Sequence, residues 1–286
     1  MACVHIYFGL QGAGKTFAFV YKMNQIANDK SNLMNCYNRI AKFNTLGYRF
    51  SYPQIPIMCD FNCELHRMFE RPISPYRVNG YFLGLPVEVI EKDKKLKTEK
   101  IVYRTMLLPP GMRIFLDEGH KYFNSHDDDI MPDFRLRWIE LLRQWGQELY
   151  LCVQRPFLVS KSVRDYADFT MFLKTDFIYD MYGNIAVAKL QYRYFQNYLE
   201  MEAFVKNGIL PKGNEVQEMI IDCTLPCNNI PKYYDTEYFA KYFLKGAKDK
   251  DFDLPEHQQI FSNPEDIDLF CKNYNYKVPK QIYSFK

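Results

Sequence analysis

The chain has 286 residues, of which 25% are charged and 48% hydrophobic, and its formal net charge at pH 7 is +3. This length suits one large α/β domain, or one core with a smaller appendage, and so small a net charge excludes a strong global field that would attract nucleic acid or an anionic membrane. No apolar run approaches the roughly 18 residues that a membrane-crossing helix needs, so we expect no membrane span.

The first predicted elements are a short strand and a helix joined by a glycine-rich loop. Val4, Ile6 and Phe8 alternate with His5 and Tyr7, as expected for a short buried strand. The loop that follows, Gly9-Leu10-Gln11-Gly12-Ala13-Gly14-Lys15-Thr16, fits G-x-x-x-x-G-K-[ST] at every fixed position. Because a strand precedes it and a helical run follows, the sequence predicts a P-loop (Walker A motif).

The residue types of this loop are suited to holding a phosphate chain. Gly12 and Gly14 carry no side chain that would keep phosphates from the backbone N–H groups, and the helix beginning near Lys15 adds further N–H groups and the positive end of its dipole. Lys15 is expected to reach the β- and γ-phosphates, and the Thr16 hydroxyl to bind a magnesium ion. We therefore expect ATP and Mg2+ as ligands. The predicted nucleotide-binding residues are Gly9, Gln11, Gly12, Ala13, Gly14, Lys15, Thr16 and Phe17.

Two further elements are predicted before the middle of the chain. The helix after the P-loop is expected to end near Asn28, and a second parallel strand is expected within residues 55–61. Between about residues 80 and 110, two apolar-rich segments around a lysine-rich tip predict a hairpin inserted in the core. A solvated tip is the simpler interpretation, and contact with a phosphate backbone is the alternative.

Eight cysteines are spread over the chain. Cys59 and Cys63, like Cys223 and Cys227, are separated by three residues, which leaves zinc binding as an alternative, but zinc ribbons more often use a two-residue spacing. No secretory signal segment precedes the P-loop. We therefore expect reduced thiols and a reducing cytoplasm.

An apolar strand that ends in two acids is predicted next. Ile114, Phe115 and Leu116 run directly into Asp117 and Glu118, which is a Walker B pattern. We expect Asp117 to hold the magnesium ion, and Glu118 to polarise the attacking water as a general base. Two surface acids at a strand end are the alternative.

A helix and a third core strand complete this pattern. Apolar residues at helical spacing predict a helix over residues 135–145, which Gly146 ends. The third strand is predicted over residues 148–153, with Gln154 at its tip. In nucleotide-driven motors a polar residue at this tip senses the γ-phosphate, so we assign that role to Gln154. A short helical or loop segment carrying Arg164 follows.

The last third of the chain predicts a hairpin and short helices. Alternating residues on both sides of the turn at residues 182–184 predict a β-hairpin that extends or flanks the sheet. Short helices are predicted within residues 233–246 and 262–276. We find no catalytic constellation beyond residue 176.

Taken in order, these motifs resemble the zonular occludens toxin family of phage assembly ATPases. The P-loop is followed by FLDEGHKYF, RQWGQELYLCVQ and VRDYADF, and the resemblance covers roughly residues 1 to 175. It implies an α/β, RecA-like P-loop core over residues 1–175, with a mainly parallel central sheet flanked by helices, and a C-terminal α+β extension over residues 176–286. The matched residues are Lys15 and Thr16 in the P-loop, the acids Asp117 and Glu118, the sensor Gln154, and the arginines Arg143 and Arg164.

The resemblance also implies partners. Such ATPases are related to viral DNA-packaging motors and work as rings, so a homo-oligomeric ring, DNA and virion or capsid assembly proteins are expected, in the cytoplasm of an infected host cell or with the virion. Arg143 and Arg164 are the candidates to reach across a subunit interface. Filamentous-phage members carry a membrane span after the ATPase domain and none is visible here, which favours genome packaging or DNA transfer over membrane-anchored extrusion.

Three functions remain open at this point. The leading hypothesis is an ATP-hydrolysing motor for genome packaging or DNA translocation during virion assembly. A small-molecule kinase shares the P-loop, but it would need an arginine-rich lid and a substrate-binding acid, for which Asp60 is the obvious candidate. A nucleotide switch without robust turnover would not need Glu118, because a positioned base is superfluous in a pure binder.

Overall fold

The computed structural model describes residues 3–29, 57–61, 63, 76–78, 87–93, 98–104, 111–127, 133–234 and 260–261. These residues form a nine-stranded sheet, a separate two-stranded sheet and five α-helices. The strands are β1 (Val4–Gly9), β2 (Ile57–Cys59), β3 (Tyr76–Val78), β4 (Val87–Asp93), β5 (Thr98–Arg104), β6 (Arg113–Leu116), β7 (Glu148–Val153), β8 (Ala167–Tyr179), β9 (Ile185–Phe195), β10 (Gln217–Asp222) and β11 (Ile260–Phe261). The helices are α1 (Lys15–Asn28), α2 (Asp133–Trp145), α3 (Lys161–Arg164), α4 (Tyr198–Asn207) and α5 (Ile230–Tyr233).

The order of the large sheet is β10-β9-β8-β1-β7-β6-β2-β3-β11. From β8 to β11 every neighbouring pair is parallel, whereas β9 and β10 add two antiparallel strands at the other edge. One strand, β7, lies between the P-loop strand β1 and the acid-bearing strand β6. The fold is therefore α/β and RecA-like, as the sequence predicts.

The core forms because its central strands are apolar on both faces. Every residue of β6 is buried, and so is every residue of β7 after Glu148. Such continuous burial is typical of a parallel strand covered by helices on each side. On one side α1 packs Phe19, Val20 and Met23, each 0% exposed, against this sheet. The ends of β1, β6 and β7 are consequently held in fixed positions.

Strand β8 crosses the domain boundary that the sequence analysis places at residue 175. It runs without interruption from Ala167 to Tyr179, pairs with β1 on one side and with β9 on the other, and β10 pairs with β9 in turn. The described part of the extension thus continues the core sheet, and the boundary at residue 175 is corrected. The predicted hairpin at residues 182–184 is confirmed as the β8–β9 connection.

The lysine-rich segment also forms a hairpin, β4–β5. Its strands continue further into the charged residues than the apolar pattern indicates, and the register places Glu91 opposite Lys100 and Lys92 opposite Glu99. The tip, residues 94–97, lies outside the described residues.

The sequence analysis missed helix α4, although its ends carry clear signals. The Asn197 side chain accepts a hydrogen bond from the Glu200 N–H (3.1 Å), the Glu200 carboxylate accepts one from the Gln196 N–H (2.9 Å), and Gly208 ends the helix with φ 69°. This is a capping-box arrangement followed by a C-terminal glycine. The helix predicted within residues 262–276, and nearly all of the one predicted within 233–246, lie outside the described residues. In the part of the chain described, no helix is long and apolar enough to cross a membrane.

Candidate functional site

The predicted site residues meet at one edge of the sheet. Because β1, β6 and β7 are parallel, their carboxyl ends lie side by side, and the loops that follow them carry the P-loop, the two acids and Gln154. A cavity of about 930 Å³ opens there. It is lined by Gln11, Gly12, Gly14, Lys15, Thr16, Phe17, Asp117, Glu118 and Gln154, together with residues of β8 and β9 and of the segment around α5. Of the predicted nucleotide-binding residues, Gly9 and Ala13 do not line it.

Lys15 lies folded across the P-loop. Its ammonium donates hydrogen bonds to the carbonyl oxygens of Gly9 (3.0 Å) and Leu10 (2.9 Å). The Ala13 N–H donates to the Leu10 carbonyl at 3.2 Å and closes the turn from inside. The loop is thus already curved around the lysine, with its cation facing the cavity where phosphates would enter.

Strand β8 supports the P-loop from behind through Thr175. The Thr175 hydroxyl donates a hydrogen bond to the Ala13 carbonyl at 2.8 Å. Gly14 has φ 89°, and a Cβ at this position would collide with the Thr175 hydroxyl. The second motif glycine is therefore required by both its backbone conformation and its contact with β8. No sequence pattern marks Thr175, because its role arises only from the pairing of β8 with β1.

Thr16 and Asp117 form the corner of the cavity that suits a metal ion. The Thr16 hydroxyl donates to Asp117 Oδ2 at 3.5 Å, and Asp117 Oδ1 accepts from the Glu118 N–H at 3.0 Å. A hydroxyl and a carboxylate oxygen are ligands that Mg2+ prefers, and Mg2+ is usually bound by few protein ligands together with substrate phosphates. The two residues therefore fit the ion that the sequence predicts for them.

Asp60 anchors the acidic turn. Its Oδ1 accepts a hydrogen bond from the Asp117 backbone N–H at 2.7 Å. Burial, together with the nearby Asp117 charge, raises the pKa of Asp60 to about 7, against the lowering effect of that hydrogen bond. Burial also raises the pKa of Asp117. A cation bound beside Asp117 would favour the charged form of both carboxyl groups. Asp60 is the candidate substrate-binding acid of the kinase hypothesis. In the structure its carboxylate instead positions the Asp117 backbone.

Glu118 has an unusual backbone conformation. Its φ of 51° and ψ of 47° lie in the left-handed region, and it is the one non-glycine residue with positive φ in the described ranges. Gln154 Nε2 donates to Glu118 Oε1 at 3.4 Å, so the predicted base and the predicted sensor are in contact. His120 Nδ1 lies 3.3 Å from Glu118 Oε2 without the alignment of a hydrogen bond. Sequence reasoning missed His120.

The opposite wall of the cavity comes from residues beyond 176, where the sequence shows no catalytic constellation. Phe177 of β8 lies with its ring centroid 5.6 Å from that of Phe17, and Ile185 of β9 continues this apolar surface. Ile230, Pro231 and Tyr234 close the cavity from the segment around α5. The extension therefore contributes part of the cavity wall.

The two candidate arginines lie at the opposite end of the parallel strands, where β7 and β8 begin. Arg143 is exposed near the end of α2, just before β7 begins, and Arg164 precedes the start of β8. Arg164 is only 7% exposed, and its guanidinium lies 4.7 Å from the Tyr198 ring and 5.3 Å from the Phe157 ring. It also donates a hydrogen bond to the Tyr198 hydroxyl at 3.2 Å. Arg164 is thus held inside its own chain, which corrects its candidacy for a neighbouring subunit; Arg143 remains accessible.

The structure adds no further ligand to the zinc site considered for Cys59 and Cys63 within the described residues. Cys59 Sγ lies 3.9 Å from Cys63 Sγ, and both thiols are buried. The Cys59 thiol also lies 3.2 Å from the Phe61 carbonyl oxygen, to which it donates. Within the described ranges, no cluster of three or more histidine, cysteine, aspartate or glutamate side chains could hold a metal ion.

No protein-family model and no curated protein matches the chain. Among solved structures, it is similar to the N-terminal domain of zonular occludens toxin from Neisseria meningitidis, at 12% identity and a TM-score of 0.47 over 82% of this chain and 100% of that one. It is also similar to the genome packaging NTPase of Sulfolobus turreted icosahedral virus 2 in complex with ATP-gammaS, at 9% identity and a TM-score of 0.29 over 76% of this chain and 96% of that one. The DNA-packaging ATPase of Sulfolobus turreted icosahedral virus matches at 11% identity and a TM-score of 0.30, over 68% and 97% of the two chains. These are the kinds of protein that the sequence motifs resemble.

Proposed function

We propose that the chain binds ATP together with Mg2+ at the P-loop and hydrolyses it. The observation that carries this proposal is the meeting of Lys15, Thr16, Asp117, Glu118 and Gln154 around one cavity at the carboxyl edge of a parallel sheet. These residues supply a cation for the phosphates, two oxygen ligands, a base and a polar group that contacts the base. Phosphoryl transfer needs little else beyond positioning and charge stabilisation.

Each residue has a definite task in this proposal. Thr16 and Asp117 would hold Mg2+, which when bound neutralises charge on the phosphates. Lys15 leaves the loop carbonyls and binds the phosphate oxygens. Glu118 accepts the proton of the attacking water, and Gln154 holds the Glu118 carboxylate in place next to the γ-phosphate.

The nucleoside would lie against the apolar wall. Phe17 directly follows the metal-binding Thr16, and its ring packs near Phe177 with an interplanar angle of 60°. Aromatic side chains in this arrangement offer a face to a planar base, and such stacking adds about 0.5–1.5 kcal/mol beyond the area buried. The cavity thus has a charged end for the phosphates and an apolar end for the base.

We extend the proposal to DNA movement during virion assembly, carried out by a homo-oligomeric ring in the cytoplasm of an infected host cell, with virion or capsid assembly proteins as partners. Two points support this extension. The first is that the order of the motifs resembles that of phage assembly ATPases. The second is that the described cavity is lined by one cationic side chain, Lys15. Because phosphoryl transfer is commonly helped by an arginine from a neighbouring subunit, a ring would supply the second cation.

Phosphate release from ATP in the presence of Mg2+, with and without DNA, tests the proposal. We expect basal turnover that single- or double-stranded DNA stimulates, and no turnover in Lys15→Ala, which loses the phosphate-binding cation. Turnover that only a small-molecule acceptor stimulates would indicate a kinase. Tight nucleotide binding without turnover, whether or not DNA is added, would indicate a switch and overturn the proposed hydrolysis.

A further inference from the structure

Two buried polar atoms face each other beside the proposed base. Glu118 Oε2 and His120 Nδ1 are both shielded from solvent, and neither has a hydrogen-bond partner among the residues that the structure describes. They lie 3.3 Å apart. A buried polar atom without a partner is unfavourable, so such atoms are rare and need a specific explanation. Because an imidazole N–H donates and a carboxylate oxygen accepts, each atom supplies what the other lacks.

The turn that carries His120 is anchored on β7 and in the core. Gly119 lies so close to β7 that an added Cβ would come within 3.0 Å of the Leu151 side chain. The Phe123 N–H donates to the Gly119 carbonyl at 3.2 Å, and the Phe123 side chain is 0% exposed in the main core. The backbone of His120 is therefore fixed next to Glu118 by packing on both sides of it.

The Glu118 carboxylate has a different neighbour at each of its oxygens. Gln154 Nε2 donates to Oε1 at 3.4 Å, and His120 Nδ1 lies by Oε2. Glu118 and Gln154 line the cavity, whereas His120 does not, so His120 can reach the reaction only through Glu118. Both contacts are long or poorly aligned, as hydrogen bonds of catalytic groups often are before substrate binds and tightens them.

We propose that His120 is a positioning residue for the base: in the ATP-bound site its Nδ1–H donates to Glu118 Oε2, so that His120 and Gln154 together orient the carboxylate towards the attacking water. The inference rests on the proposed function and deepens it. Nδ1 carries the required proton in the imidazolium and in one of the two neutral tautomers. If His120 only filled space, its N–H would have no effect on the rate.

Two substitutions of His120 separate the donor from the bulk of the ring. His120→Ala removes the donor, and we expect kcat to fall about tenfold to a hundredfold, the effect of one hydrogen bond to a charged group. KM and the affinity for a non-hydrolysable ATP analogue should stay unchanged. His120→Asn offers an amide N–H near the position of Nδ1 and should recover most of the lost turnover. His126→Ala is the matched control, because His126 is exposed and does not line the cavity.

The same change in a Glu118→Gln background shows whether His120 acts through the carboxylate. Once the base is absent its orientation no longer matters, so His120→Ala should lower the residual single-turnover rate no further. If the unchanged protein binds the analogue but hydrolyses no ATP, the proposed function fails and this inference with it. If the unchanged protein hydrolyses ATP, three results overturn this inference alone: kcat of His120→Ala equal to that of His126→Ala, equal losses in His120→Ala and His120→Asn, or a full further loss in the Glu118→Gln background.

Discussion

Glu118 combines a strained backbone with a functional side chain. A non-glycine residue at φ 51° costs of order 1 kcal/mol or more, and such conformations concentrate at functional sites because the surrounding structure must enforce them. Two hydrogen bonds hold Glu118 in this left-handed conformation. The Glu118 N–H donates to Asp117 Oδ1, and the Asp117 N–H donates to Asp60 Oδ1. The direction of the Glu118 carboxylate thus depends on a carboxyl group from another strand end.

Asp60→Ala and Asp60→Asn separate this anchoring role from a charge effect. The alanine variant leaves the Asp117 N–H without an acceptor, and an unsatisfied, partly buried donor lowers the free energy of unfolding by about 1–3 kcal/mol. The asparagine variant keeps Oδ1 as an acceptor and should lose much less. Urea unfolding in magnesium-free buffer measures both. Equal losses in the two variants would mean that the hydrogen bond contributes nothing and that only the charge of Asp60 matters.

At the residue scale, sequence predicted the part of the site that lies in contiguous motifs. Lys15, Thr16, Asp117, Glu118 and Gln154 were named because each follows a recognisable strand, and the structure brings them together. The remaining contacts join positions far apart in the chain that carry no local signal. These are Asp60 with Asp117, Thr175 with Ala13, and Phe177 with Phe17.

At the scale of elements, β8 determines how the P-loop is built. This strand runs along β1, so its backbone and side chains form the rear support of the loop, and the Phe172 carbonyl oxygen occupies the space that a Cβ at Gly9 would need. The strands with continuous apolar sequences, β6 and β7, were predictable at nearly their observed bounds. Helix α4 was not predicted, although its capping residues are present in the sequence. The predicted domain boundary at residue 175 was wrong because β8 continues beyond its apolar, core-facing part to Tyr179.

Gly14→Ala and Gly12→Ala form a matched pair that tests this support. Both residues have positive φ, 89° and 78°, so alanine introduces about 1–2 kcal/mol of backbone strain at either position. Only at Gly14 does the new Cβ collide with the Thr175 hydroxyl, whereas Gly12 has open space. We expect Gly14→Ala to lower the free energy of unfolding by clearly more than Gly12→Ala, measured by urea unfolding without nucleotide. Losses of the same size would show that β8 does not clamp the loop.

At the scale of the whole molecule, the parallel sheet separates the site from the arginines. The P-loop, the acids and Gln154 lie at the carboxyl edge, and Arg143 lies where β7 begins, at the amino edge. Arg143 therefore has no route to the cavity of its own chain. If it acts in hydrolysis, it must act on the nucleotide of a second subunit, which makes the ring proposal testable through this residue.

Mixing two inactive variants tests that arrangement. Glu118→Gln lacks the base and Arg143→Ala lacks the arginine, so mixed assemblies contain some interfaces with both groups intact and should recover part of the ATP turnover. An arginine supplied in this way contributes on the order of 10³ in rate. Arg164→Ala serves as the contrast, because the buried Arg164 should affect stability and not complement. No recovery with Arg143→Ala, although both variants still assemble, would assign Arg143 a structural role.

The most direct test of the account is ATP turnover by Glu118→Gln compared with the unchanged protein, at saturating ATP and Mg2+. The substitution keeps the shape of the side chain and an oxygen for the Gln154 contact, but it removes the group that accepts the proton. We predict nucleotide affinity close to that of the unchanged protein and turnover reduced by about 10²-fold or more. Turnover at the unchanged rate, with nucleotide bound equally well, would contradict the assignment of Glu118 as the base and with it the proposed site of hydrolysis.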